Sequence, residues 1–484
     1  MSDGQVHDAD TGALKKALDA VGTPPTLDTP LGTFDLVDGV PTCDSVTRLY
    51  DALDFMRGVD VFLNALPGAS LAAMRNGFRS IGLTETYQVG YTDPRANSGS
   101  FFLTPNTETT YGSMFLDLKA TGPFVIEPPK QSLCVVDDFW FRYVADMGIA
   151  GPDRGEGGKY LFLPPGFEGD VPDGYFVYRP LTFTNWVVFR ALGGVPALKQ
   201  TKVYPLAAVD SPPEVEFVNI AEPHFNTVHA NDFSFYEEVN TIIQEEPTTS
   251  LDPERAGQLA AIGIVHGKPF APDDRLRSIL DNAARTAAAI SRALVYSPRD
   301  PEAAIFDGSS WCNAFLGGSY EFVQNGARLL DARTAFHYFA TVITPAMAHA
   351  QVGAGSAYVY TAVDSNKNVL DGGKTYTLTL PPNPPAKNFW AVDIYDTQTR
   401  SLLQTDNPYP SVMSLGGTVA ANDDGSFTIW FGPESPAGHE SNWIQTVPGK
   451  GWFPLLRLYG PLQPWFDKTW QPSEIVPLNE RLTG

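Results

Sequence analysis

Cysteine is nearly missing from this chain: three in 484 residues, Cys43, Cys134 and Cys312, odd in number and far apart. They make neither a disulfide framework nor a zinc site. Histidine is also scarce, at seven. Positive charge is short: 33 Lys and Arg stand against 55 Asp and Glu, a formal net charge of −22. Phosphate backbones and anionic membranes are gripped by clustered Lys and Arg, so this balance argues against nucleic acid and membrane surfaces as partners. No window approaches the ~18 consecutive apolar residues of a membrane-spanning helix. The opening MSDGQVHDADTGALKKALDA lacks the basic and apolar regions of a secretory leader. A cytoplasmic location is expected; an exported protein whose leader had been removed would carry the same few thiols. Nor is there a Gly-rich phosphate loop between a strand and a helix, a G-x-S-x-G elbow or an H-E-x-x-H pair.

Glycine and proline are abundant instead, at 43 and 41, and 43% of residues are hydrophobic. Many turns between short strands, around a substantial core, follow from that composition. Residues 1–30 read as a mobile start with one short helix and a Pro/Thr-rich linker. Residues 43–66 read as a helix whose face carries Leu49, Leu53, Phe55, Met56 and Val59, with Pro67-Gly68 ending it. From about 83 to 218, short Val/Phe/Tyr/Thr runs cut by Gly and Pro predict a sandwich or barrel. Residues 231–350 turn helical. Asp252 before Pro253 and Asp273 are N-caps, and 329–349 is a third helical stretch. The strand pattern returns from about 356.

The two strand-rich parts resemble each other. FVIEPPKQSLCVVDDFW, GGKYLFLPPGFEG and NWVVFRALG are matched in order by TLTLPPNPPAKNFWAVDIYD, DGSFTIWFGPESPAG and WFPLLRLYG. Each part runs strand, Pro-Pro, strand ending in Asp, then a Gly-led strand and turn, then a strand with one Arg. Arg190 and Arg457 fall at matching places. The fold class expected is mainly β with a helical insert (α+β), built from tandem duplicated jelly-roll-like β-sandwiches. The divisions expected are 1–30, an N-terminal β-sandwich domain at 31–230 with an initial helix, a helical insert at 231–350 and a C-terminal β-sandwich domain at 351–484.

TPNTETTYGSMFLDL, PFVIEPP and GIAGPDRGEGGKYLFLPPGFEGDVP together resemble the domain of unknown function numbered 1254. GGKTYTLTLPP, NFWAVDIYDTQTRSLLQTDNPYPS and SNWIQTVPGKGWFPLLRLYGPLQPWFDKTW resemble its usual partner, the domain numbered 1214. The family pattern has Asp where this chain has Glu108, which keeps the charge and adds a methylene of reach. The resemblance implies two jelly rolls in tandem, similar in outline to some viral capsid proteins and a peptide-glycan amidase. It implies no reaction. Many members are exported, and this chain departs from them by lacking a leader.

Several constellations have the residue types that chemistry needs. In Asn106-Thr107-Glu108-Thr109-Thr110-Tyr111, Glu108 could serve as general base with Asn106 and Tyr111 orienting a substrate; the plain alternative is an Asx turn that starts a strand. Asp138, Trp140 and Arg142, on one face of an extended strand, could bind a sugar or an aromatic acid, or form a structural ion pair. Asp146 follows. Residues 151–159, ending in Lys159, form a charged loop that either covers a pocket or merely connects strands. Arg190 and Arg457 either capture an anion or pair with Asp138 and Asp396, and the structural pairing is the stronger reading. His224, His229 and Asp232 have ligand chemistry for a divalent metal, weakened by their loop setting; no metal or other cofactor is expected. His337 and His349 read as unrelated helical residues. Asp364–Asn368 and Asn422–Gly425 read as turns. Asn442 and Trp443, beside further tryptophans, suit a sugar cleft or a domain interface.

The function expected is a cofactor-independent hydrolase or lyase acting on a small polar or glycan-like substrate. Glu108, Asp138 and Tyr111 would be catalytic. Asn106, Trp140, Arg142, Lys159, Asn442 and Trp443 would bind. The alternatives are a non-catalytic carbohydrate or aromatic-acid binding module, and a self-assembling structural protein that forms a homo-oligomer through its helical segment.

Overall fold

The computed structural model describes residues 8–478; the ends of the first and last expected segments, 1–7 and 479–484, lie outside the described residues. The fold is mixed α+β with several β-sheets. Helix α1 (Asp8–Val21) leads into a small sheet of β1 (Thr26–Thr29), β2 (Gly32–Val37) and β3 (Val40–Pro41). Helix α2 follows, capped by Thr42, and runs as Cys43–Ser80. The expected stop at Pro67-Gly68 does not occur. Pro67 lacks the N–H that would bond the Leu63 carbonyl, but that carbonyl accepts the Thr334 hydroxyl at 3.3 Å instead. The apolar ASLAAM run beyond it is buried, so tertiary packing carries the helix across the break.

Strands β4 (Gln88–Tyr91), β5 (Tyr111–Asp117), β6 (Phe124–Glu127), β7 (Ser132–Asp138), β8 (Tyr143–Gly148), β9 (Tyr160–Phe162), β10 (Phe176–Tyr178), β11 (Thr184–Ala191), β12 (Lys202–Pro205) and β13 (Glu216–Asn219) come next. They form a larger sheet in the order β13-β4-β5-β11-β7-β8 and a smaller one in the order β10-β9-β6-β12. Single-turn helices α3 (Leu118–Thr121) and α4 (Gly194–Leu198) sit in the connections. Met114, Leu116, Val136, Val187 and Phe189 of the larger sheet share one core with Phe124, Ile126, Phe162 and Val203 of the smaller.

Helices α5 (Ser234–Glu245), α6 (Pro253–Ala260) and α7 (Asp274–Tyr296) follow. Asp252 and Asp273 cap α6 and α7 through side-chain acceptors, as their sequences predict. The strand β14 (Cys312–Asn313) and the hairpin β15 (Val323–Gln324) with β16 (Ala327–Arg328) precede α8 (Leu330–Phe339) and the short α9 (Pro345–Ala348). The expected 329–349 helix is therefore broken. Thr344 precedes a proline and is extended (φ −153°, ψ 149°). The extended segment is anchored by Ile343 N–H on Asp137 and by the Thr344 hydroxyl on Asp146.

The last strands are β17 (Ser356–Tyr360), β18 (Tyr376–Leu380), β19 (Ala386–Asp396), β20 (Ser411–Met413), β21 (Phe427–Gly432), β22 (Trp443–Gln445), β23 (Trp452–Pro461) and β24 (Val476–Pro477), with α10 (Gln463–Phe466) between the last two. Their sheets have the orders β14-β17-β23-β19-β20 and β22-β21-β18-β24. Strand for strand, β5-β11-β7-β8 is repeated as β17-β23-β19-β20, and β10-β9-β6-β12 as β22-β21-β18-β24. Even the parallel pair is repeated: β9 with β10, β21 with β22. Val392, Ile394, Leu456 and Leu458 meet Leu378, Ile429 and Phe431 in a second core. No sheet among the described residues closes on itself.

The outer faces of the two larger sheets look into a third core. Trp186 and Val188 on β11, and Tyr395, Phe453 and Leu455 on β19 and β23, pack there with α2, α5, α7 and α8. This layer between the halves holds the site described next. No helix among the described residues is long and apolar enough to cross a membrane.

Candidate functional site

Alternation along β11 and β23 decides where their arginines go. Leu456 and Leu458 face the inner core, so Arg457 and Tyr459 face the layer between the halves. Val187 and Phe189 do the same for Trp186, Val188 and Arg190. A cavity of about 930 Å³ opens between these faces, within the ~300–1,000 Å³ of small-molecule sites. Its wall is mostly apolar and includes Phe102, Ile220, Phe225 and Met347, with Asn106, Tyr111, Asp146, Arg190, Tyr358 and Arg457 as the principal polar groups.

The loop before β5 is docked on the C-terminal half. Thr104 N–H donates to the Arg400 carbonyl (2.9 Å), and Tyr395 Oη donates to the Pro105 carbonyl (2.7 Å). Asn106 folds this loop as an Asx turn. Its Oδ1 accepts from the N–H groups of Glu108 and Thr109, and its Nδ2 donates to Tyr111 Oη at 2.8 Å. Glu108 accepts from Tyr459 Oη at 2.7 Å, and the Thr107 hydroxyl lies 3.3 Å from both the Glu108 and the Asp393 carboxylates. Glu108 is buried and does not itself line the cavity.

Arg457 is ion-paired to Asp393, both buried, and donates from Nη2 to the Thr104 carbonyl at 2.9 Å. Burial, with Glu108 adding to it, pushes the Asp393 carboxyl well above the usual carboxylate range against the pull of Arg457. Arg190 differs. No carboxylate among the described residues lies within ion-pair distance, its Nε has no hydrogen-bond partner, and its guanidinium lies 5.2 Å from the centre of the Tyr459 ring. The expected pairings of these arginines with Asp138 and Asp396 are thus corrected. Those two aspartates do occupy equal places in register, opposite Asn185 and Trp452. Each instead holds the turn that ends its strand. Asp138 accepts from the N–H groups of Trp140 and Arg142, and Asp396 from that of Gln398. Positive φ at Phe141 (56°) and Arg400 (58°) closes the two turns.

Asp138, Trp140 and Arg142 do not lie along a strand as expected, because β7 stops at Asp138 and the chain reverses. Arg142 comes back to pair with Asp138 (2.7 Å) and to donate to the Ser250 carbonyl. Burial raises the Asp138 pKa despite Arg142 beside it. Trp140 and Arg142 line a different, smaller cavity. Glu108, Asp138 and Arg142 therefore do not converge on a common cavity. Lys159 lies in neither cavity; its loop is tied by Asp153, which accepts from Gly148 N–H, Gly157 N–H and Tyr160 Oη. Asn442 bonds the backbone of Ala420 and Thr428, and Trp443 Nε1 the Gly432 carbonyl; neither lines a described cavity.

His229 is buried against Arg400, and burial lowers its pKa to about 3. No group of three His, Cys, Asp or Glu among the described residues is arranged to hold a metal, so His224, His229 and Asp232 do not form a centre. Asp364 and Asn422 make the expected turns. Sequence reasoning missed Asp393 and Tyr459 as partners. An Asp flanked by apolar residues in FWAVDIYD was the available signal. Asp146, whose carboxyl burial raises to about 6, accepts from Thr344 Oγ1 at 2.7 and 2.8 Å on the cavity wall. The Cys134 thiol on the same wall is pushed up to about 12 by burial, which makes it a poor nucleophile at neutral pH.

No curated protein matches the chain. A crystal structure of the VPA0106 protein from Vibrio parahaemolyticus is similar, at 16% identity and a TM-score of 0.53, over 88% of this chain and 100% of that one. That likeness concerns the fold alone. A crystal structure of an uncharacterized protein from Burkholderia cenocepacia is 12% identical with a TM-score of 0.38, over 90% of this chain and 97% of that one. The cavity is thus framed largely by two matched segments: residues 86–205 match the family described as Protein of unknown function (DUF1254), and residues 355–463 match the one described as Protein of unknown function (DUF1214).

Proposed function

We propose that the cavity between the halves binds a small organic acid with an apolar or aromatic body, its anionic group meeting Arg190. The unpaired Arg190 guanidinium carries this reading. A lone charge on a mostly apolar wall is costly unless something compensates it. Arg457 is paired with Asp393, whereas no carboxylate among the described residues lies within ion-pair distance of Arg190, and Glu108 acts on it only from farther off. The rings of Phe102 and Phe225 and the thioether of Met347 suit the ligand's body. Asp146 can accept from a ligand hydroxyl or amine. Calorimetry against aromatic and aliphatic monocarboxylic acids and their amides tests this. The acids should bind and the amides should not, and Arg190→Met should abolish the difference. Equal binding of acid and amide, or none of either, would overturn it.

A second reading, a hydrolase or lyase on such a ligand, draws on the Glu108–Asp393 pair. Burial raises the Asp393 carboxyl beside Glu108 behind the cavity wall, and neighbouring carboxyls in unlike environments are suited to acid–base work. Glu108→Gln keeps the shape of that site. It should remove turnover while leaving acid binding in place; turnover that survives the change would end this reading. As for architecture, we infer that each half is a jelly-roll-like sandwich and that the two arose by tandem duplication. The repeated strand orders and the matched turns at Asp138 and Asp396 support this.

A further inference from the structure

The smaller cavity, about 260 Å³, is lined by residues of α2, the 140–143 turn, α6, the 320–328 hairpin and α8. Four guanidinium groups reach it: Arg142, Arg255, Arg328 and Arg333. Only Arg142 has a carboxylate partner among the described residues, Asp138. The other three are held by neutral oxygens. Arg255 Nη1 donates to the Asn64 carbonyl (3.1 Å), Arg328 Nη1 to the Glu321 carbonyl (2.6 Å), and Arg333 Nη2 to Asn64 Oδ1 (2.7 Å). Arg333 is only 5% exposed, and its Nε has no partner. His337, 3% exposed, likewise leaves Nδ1 unbonded on the cavity wall. The nearby acids offset this charge only in part: Asp252 and Asp60 act on Arg255 and Asp60 on Arg333, none of them within ion-pair distance. Asp252 caps α6 through the Arg255 N–H, and Glu321 is exposed.

We propose that this pocket binds a compact multivalent oxyanion, a phosphoryl or sulfate group, free or as the head of a small molecule. Guanidinium forks match the oxygens of such a group, and two or three converging forks favour a dianion over a monocarboxylate. In a chain of net charge −22, a cluster of unpaired arginines is not a by-product of composition. Mutual repulsion works against it until an anion fills it. Arg333 shows that strain: burial, with Arg255 and Arg328 nearby, lowers its pKa to about 9. His337, lowered to about 3 chiefly by burial, stays neutral and can donate one hydrogen bond. The site is separate from the Arg190 cavity, and the two can fail independently.

Calorimetry at pH 7 with inorganic phosphate, glycerol phosphate and acetate tests the proposal. The expected result is saturable binding of at least one phosphoryl compound and none of acetate. Arg328→Gln and Arg255→Gln, at positions that are not fully buried, should each weaken it at least tenfold, while Arg190→Met leaves it unchanged. Tighter binding of glycerol phosphate identifies an esterified ligand; equal or tighter binding of inorganic phosphate identifies the free ion. No saturable binding of either compound to the folded wild-type protein, or binding indifferent to both glutamine variants, would overturn the proposal.

Discussion

Arg190 and Arg457 stand at the same place in two strands of the same order, yet one is a brace and the other is free. The difference lies one strand away. In β19, Asp393 stands opposite Leu455, two residues before Arg457; in β7 the equivalent residue, opposite Val188, is Val135. An acid does appear in the N-terminal half, but one strand further on. Asp146 is opposite Val135 in β8, where Ser411 is opposite Asp393 in β20. Moving a carboxylate by one strand turns a closed ion pair into a cavity with a cation on one strand and an acid on another. A repeat can thus keep its architecture while a few polar positions separate structural from binding roles.

Breaking the closed pair gives the largest effect. Arg457→Met leaves Asp393 buried without its cation and should cost about 3–5 kcal/mol, read as a lowered midpoint in denaturant unfolding. Next comes Asp146. Its folded pKa of about 6 lies above the ~3.9 of an unfolded Asp. The folded state therefore binds more protons, and the stabilisation present below about pH 4 is lost as pH rises through about 6. Asp146→Asn should remove a decline of about 2–3 kcal/mol between pH 4 and 7, measured as the difference between wild-type and variant urea titrations. Thr344 and Tyr143 face that carboxyl, and Asp137 is the nearby acid. Val135→Asp sharpens the comparison by giving Arg190 the partner Arg457 has. Stability should fall by about 1–2 kcal/mol, since exchanging an apolar group for a paired ion roughly breaks even but Asp146 stands opposite and adds like-charge repulsion, while organic-acid binding disappears. Arg190→Met should have the smallest effect on folding, under about 1 kcal/mol, with the same loss of binding. A cost as large as that of Arg457→Met would show that Arg190 is paired after all.

The alternating strands, the Asp caps at Asp252 and Asp273, and the correspondence of Arg190 with Arg457 were all legible in the chain, because each follows from local period or local chemistry. The continuation of α2 past Pro67 was not, since the compensating hydroxyl comes from Thr334 on another helix. Nor was the turn after Asp138. DDFWFR alternates plausibly as a strand, but Asp138 bonds the backbone two and four residues on and reverses the chain. Asn106, Glu108 and Tyr111 were picked out by type, and two of them do line the large cavity. The partners of Glu108, namely Tyr459 and Asp393, lie more than 280 residues away in sequence.

Spacing of apolar, Gly and Pro residues determined that this protein is mixed α and β, with a strand-rich part repeated on either side of helices. Such patterns act over a few residues, where backbone geometry alone chooses the form. Which arginine is neutralised, which is left facing open space, and which four guanidinium groups meet in one small pocket were decided only by tertiary structure. Charges act through space, and the distance between two of them is set by how the sheets and helices pack.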